Sequence, residues 1–106
     1  YCYALIYHVK DMERQINLFK AILIQGLMDS LQKFFFKESK NDFYYITACE
    51  WLGSDDFKLI CEFANLEPNN VLKIHNKLKK YKDYLTADTT KILLHEAFSR
   101  YKQLQL

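Results

Sequence analysis

The sequence predicts an all-α fold of about five helices, with a long first helix as its spine and a helix-turn-helix-like pair at its centre. Three observations carry this expectation. Glycine occurs twice and proline once in 106 residues, too little turn chemistry for a sheet protein, whose hairpins want Gly, Asn and Asp at tight positions. Apolar residues recur at steps of three and four over long stretches. Residues suited to capping and closing helices stand between those stretches. Half of the residues are hydrophobic and 16% are aromatic, which argues against disorder. A chain of this length buries one core, so residues 1–106 are read as a single domain.

Tyr1 to Tyr7 is apolar and fits a leading helical turn, a short strand or a docked terminus. From His8 to about Phe35, Val9, Met12, Ile16, Phe19, Leu23, Leu27 and Leu31 share one helical face. Glu13, Arg14, Asn17 and Lys20 fall opposite. Around Ala21–Ile24 the apolar residues spread around the helix, which predicts cover on most sides. The early steps also fit a short heptad, so a homodimer along this helix is one expectation.

Phe34, Phe35 and Phe36, followed by the polar run Lys37 to Asp42, read as a helix end and a loop. A second helix, capped by Asn41 or Asp42, runs to Leu52, and Gly53 closes it in the left-handed conformation. Ser54 caps a third helix, with Asp55 and Asp56 favourably placed in its positive first turn, running to about Ala64. Asn65 to Pro68 is a tight connection in which Asn tolerates positive φ and Pro68 suits a first helical turn. The fourth helix runs through Val71, Ile74 and Leu78 to about Tyr84. A fifth, capped by Asp88 or Thr89, runs through Ile92, Leu93, Ala97, Phe98 and Tyr101.

The third and fourth helices match the packing needs of a helix-turn-helix. That motif wants a small residue in its first helix, a positive-φ residue four positions later with apolar neighbours, and apolar residues six and nine positions beyond it. Cys61, Asn65, Ala64 with Leu66, Val71 and Ile74 fill these places, and Ile60 completes the first helix. The second helix of the pair then presents Asn69, Asn70, Lys73, Asn76 and Lys77 outward. Asn pairs bidentately with adenine, and Lys with guanine or phosphate. Lys79 and Lys80, with Lys82, follow as phosphate neutralisers. The partner expected on this reading is double-stranded DNA, bound by a dimer because a lone motif touches little DNA. A plain packing hairpin with a solvated lysine face produces similar spacing, and that alternative stays open.

Charge is unevenly placed although the total is only +2. Residues 41–70 hold six acids against Lys58, and residues 71–82 hold five lysines and no acid. Such asymmetry shapes the surface field more than the total does. The acidic stretch includes the first helix of the pair, where it opposes phosphate.

Cys2, Cys49 and Cys61 are an odd number without a CxxC spacing, and no secretory signal is read at the start, which is Tyr1 rather than Met. A reduced, cytoplasmic setting is expected. Lys20 and Asp29 interrupt the strongest apolar run before it reaches the ~18 residues of a membrane span. Cys2, His8, Cys49, Cys61, His75 and His95 show no ligand-pair spacing, so neither a metal nor a cofactor is expected. Cys49 and Cys61 are read as small core residues and His75 as a helix-surface residue. Trp51 is read as the anchor where two helices meet, and Tyr44 and Tyr45 as mostly core. Cysteine nucleophile chemistry lacks any local signature, Asp55-Asp56 is accounted for by capping, and no Gly-rich phosphate loop is present; an enzyme is not expected.

Two segments carry a resemblance: Leu18 to Asp29 (LFKAILIQGLMD) and Ala48 to Pro68 (ACEWLGSDDFKLICEFANLEP). They resemble small prophage-type bacterial proteins in which a helix of the type "ALxD" precedes a "WLxSxDFxxVCExAGLxP" stretch. The likeness covers about a third of the chain. It implies a phage-associated context and a regulatory role, with no assigned activity. Gly26 stands where such proteins often carry Ala, and Asn65 where they often carry Gly.

Overall fold

The computed structural model describes residues 2–33 and 41–104, with side chains for 11–33 and 43–99. Five helices follow in order: α1 Cys2–Ser30, α2 Asn41–Trp51, α3 Asp55–Phe63, α4 Pro68–Lys80 and α5 Ala87–Leu104, with a short 3₁₀ turn at Lys82–Tyr84. No strand occurs among the described residues, so the fold is all-α. The expectations on Phe34–Phe36 and on the loop to Lys40 lie outside those residues.

The ends of the helices follow local chemistry. α1 stops at Ser30, earlier than Phe35, because Gln32 takes φ of 60°. The Lys33 N–H then reaches the Met28 carbonyl at 2.9 Å and the Gln32 N–H the Asp29 carbonyl at 3.1 Å. That is a Schellman closure with glutamine where glycine is usual. α3 ends the same way around Asn65, also at φ 60°, with the Leu66 N–H on the Cys61 carbonyl at 2.9 Å. Gly53 takes φ of 76° after α2, as its type suggested.

Ser54 accepts the Phe57 N–H at 3.2 Å and caps α3, with Asp55 and Asp56 in the first turn. Pro68 opens α4. That helix closes at Lys80, and residues expected to extend it to Tyr84 form the 3₁₀ turn. At α5 the cap is Thr86, ahead of the expected Asp88 or Thr89: its hydroxyl accepts the Thr89 N–H at 3.1 Å. This leaves Asp88 in the first turn, where its charge suits the helix dipole.

α1 packs against α2, α3 and α5, α3 against α4, and α4 against α5. At ~1.5 Å per residue its 29 residues span about 44 Å, most of the molecule's 51 Å longest dimension. The core gathers Leu23, Leu27 and Met28 of α1, Phe57 and Cys61 of α3, Val71 of α4, and Leu94 and Phe98 of α5. Among its described side chains, the apolar stripe of α1 is covered only in the C-terminal half. Leu23, Leu27 and Leu31 are buried, Ile16 and Phe19 half-buried, and Met12 exposed. Cover on most sides near Ala21–Ile24 is not found: Leu23 and Ile24 are buried, whereas Ala21 and Ile22 face solvent.

Trp51 joins three helices. A Cβ on Gly26 would lie 2.9 Å from Cη2 of Trp51 and closer still to Cζ3, so the indole rests on bare α1 backbone. The same ring meets Phe57 edge-on at 5.1 Å between centroids, in the favoured aromatic arrangement. Tyr44 and Cys49, expected in the core, are exposed. α2 segregates apolar from polar residues weakly, and of its described side chains only Ala48 is buried.

Candidate nucleic-acid interface

α3 and α4 meet through the turn Ala64–Glu67, and every residue required for close approach packs inward. Cys61, Ala64, Leu66 and Val71 are buried, and Ile60 and Ile74 lie half-buried against the same core. Asn65 adopts the positive φ that lets the chain reverse. Burial pushes the Cys61 thiol up to about 12, with the nearby Glu67 carboxylate acting in the same direction. A thiol held that high is protonated and a poor nucleophile.

Burial on α4 fixes which arc faces out. Val71 and His75 are buried, and Leu72, Ile74 and Leu78 are half-buried. Asn69, Lys73, Asn76, Lys77 and Lys80 are all exposed. At about 100° per residue they fall within roughly 100° of arc, opposite the buried stripe. Two of the expected contact residues stand apart. Asn70 is half-buried and engaged within the chain. Lys79 is exposed but lies on the flank nearest His75, whose imidazole feels its charge.

His75 corrects the surface role expected of it. It is only 7% exposed, and its Nε2 lies 2.9 Å from Oγ of Ser30 on α1. The Ser30 hydroxyl donates its proton to the Leu27 carbonyl at 2.7 Å, so Nε2–H donates and Ser30 accepts. Burial holds the imidazole below its usual 6.5; Lys79 adds to this, and the Asn76 side-chain hydrogen bond opposes it. The signal was present in the spacing: position 75 falls four after Val71 and three before Leu78, inside the apolar stripe. The bond ties the candidate reading helix to the spine.

Lys82 makes a second tie, donating to Oε1 of Gln32 at 3.1 Å. Two tyrosines beside it were not singled out from sequence. Tyr81 closes α4 and is 60% exposed, and Tyr84 in the 3₁₀ turn is 86% exposed. The outer face of α3 is acidic and apolar, with Asp55, Asp56 and Glu62 beside Leu59 and Phe63, all exposed. Among the described residues no three His, Cys, Asp or Glu side chains gather as metal ligands, and no helix is long and apolar enough to cross a membrane.

No family model, no curated protein and no solved structure matches this chain.

Proposed function

We propose that this chain is a small DNA-binding regulatory protein that reads duplex DNA with α4. The supporting observation is the outward arc of that helix, where Asn69, Lys73, Asn76, Lys77 and Lys80 stand together with the opposite side locked into the core. Thirteen residues make a helix of about 20 Å, a length that lies in a major groove. Asn69, Lys73 and Asn76 reach base edges, while Lys77, Lys79, Lys80 and Lys82 neutralise phosphates. The acids of α3 oppose the backbone on their side, so attachment falls to the C-terminal half of α4. The resemblance to prophage-type proteins agrees with a regulatory role in a phage-associated setting, and no catalytic activity is proposed.

One such helix contacts few base pairs, so the binding unit is a dimer. The N-terminal half of α1 suits that role: of residues 11–18 only Ile16 is even partly covered, leaving Met12 and Leu18 exposed. Reversing charge at Lys73 and Lys77 (Lys73→Glu with Lys77→Glu) is expected to abolish duplex binding and leave the helical circular dichroism unchanged. Unaltered binding by that double variant excludes α4 as the reader.

A second reading is favoured by a different observation. Leu18 and Ile22 of α1 and Phe43, Tyr44 and Ile46 of α2 are exposed, and Ile22 and Tyr44 line one groove with Gly26 and Trp51. Apolar exposure of this kind marks protein interfaces. On that reading the chain is an interaction module, and the double variant leaves its partner binding intact.

A further inference from the structure

Tyr81 and Tyr84 are large amphipathic rings left mostly in solvent, 60% and 86% exposed. Neither packs into the core, although a small helical domain gains from burying such side chains. The backbone that carries them is nevertheless held. The Tyr81 N–H bonds the Leu78 carbonyl at 3.1 Å, the Tyr84 N–H the Tyr81 carbonyl at 3.0 Å, and Leu85 closes on Lys82 at 3.3 Å. The Lys82 side chain is moored to Gln32 at the end of α1.

A three-residue step in a 3₁₀ turn brings side chains to the same edge, about 6 Å apart along the axis. Tyr81, which flanks the turn, and Tyr84 within it are at that step, a rise close to twice the ~3.4 Å base step of a nucleic-acid strand. Lys77, Lys79, Lys80 and Lys82 are their neighbours along the chain, with Asp83 the one acid in the stretch 71–84. Exposed aromatic rings within a cationic surface are what unpaired bases require: stacking for the base, neutralisation for the phosphate. A fully paired duplex offers no free base face to such rings.

We propose that the corner formed by the end of α4 and the 3₁₀ turn binds unpaired DNA bases by stacking on Tyr81 and Tyr84. This rests on the DNA reading of α4 and deepens it: the protein prefers DNA that is locally open. The lysine arc grips backbone, and the tyrosine corner captures a base freed from its partner.

The test is fluorescence anisotropy of the full chain with four labelled probes of one sequence. These are a paired duplex, the same duplex with a short unpaired bubble, the single DNA strand and the matching RNA strand. The bubble is expected to bind about 10-fold or more tighter than the paired duplex. Tyr81→Ala with Tyr84→Ala is expected to erase that preference and leave paired-duplex affinity unchanged. The double Phe variant, which keeps the rings, should retain it. Equal affinity for bubble and paired duplex overturns the inference, as does a preference that survives the alanines. Tighter binding of RNA than of the DNA strand overturns the assignment to DNA. Bubble and single-strand binding without paired-duplex binding overturns the duplex reading of α4 alone, and no binding to any probe overturns both.

Discussion

The proton that Ser30 donates to the Leu27 carbonyl decides how His75 is held. With that hydrogen committed, the serine oxygen can only accept from Nε2, which needs no charge on the ring. Burial and the nearby Lys79 both disfavour the imidazolium, so the folded-state pKa lies below 6.5. The unfolded chain then takes up a proton first as pH falls. Stability is fully present above about 6.5, is lost as pH drops below it, and levels off once the folded pKa is passed. The midpoint of urea unfolding is therefore expected to fall between pH 7.5 and pH 5, and His75→Gln is expected to flatten that slope. A wild-type midpoint unchanged over the range contradicts the buried neutral imidazole. Reading His75 as a surface residue weighted its polar type over its place in the stripe, and Cys49 errs in the opposite sense. Residues whose type and position agree, such as Ser54, Asn65 and Pro68, were legible directly.

At the scale of elements, helix interiors declare themselves by period, and helix ends depend on one or two residues. α3 was legible throughout because Ser54, the paired aspartates and Asn65 each have a local physical reason. The end of α1 was not, because a glutamine at φ 60° is an uncommon closing residue. The cap of α5 was missed because Thr86, Asp88 and Thr89 are all acceptable capping types. Contacts between elements were least legible, and Gly26 is the clearest case. Alanine there would gain about 1 kcal/mol of helix propensity, but its methyl would meet the Trp51 ring within 2.9 Å. The ring is also braced by Phe57, so overpacking of about 1–3 kcal/mol prevails. Gly26→Ala is expected to lower stability and shift the fluorescence of Trp51. Unchanged stability with unchanged emission contradicts this contact.

For the whole molecule, the five-helix class and the shared core were legible, because both follow from where apolar side chains recur. How far the core extends along α1 was not, since one continuous stripe joins the exposed Met12 to the buried Leu23, Leu27 and Leu31. The fold itself separates two thiols. Cys49 is exposed and Cys61 is fully buried with its pKa near 12. A maleimide at neutral pH, with labelled peptides identified by mass spectrometry, is expected to modify Cys49 at once and Cys61 only on unfolding. Equal rates at the two positions contradict the packing of α3 onto α1 and α4.

DNA binding through α4 requires the lysine arc to meet phosphate, and charge at this scale has a direct signature. With Lys77 and Lys80 on the arc, Lys79 on its flank and Lys82 in the turn that follows, about three to four phosphates are neutralised per chain. The measurement that tests this most directly is fluorescence anisotropy with mixed-sequence duplex DNA, titrated from low to physiological salt. Binding that weakens with a log–log slope of about −3 to −4 per chain is predicted, since each phosphate contributes about −0.9. No binding even at low salt, or binding indifferent to salt, contradicts the assignment of α4 as a DNA-facing helix.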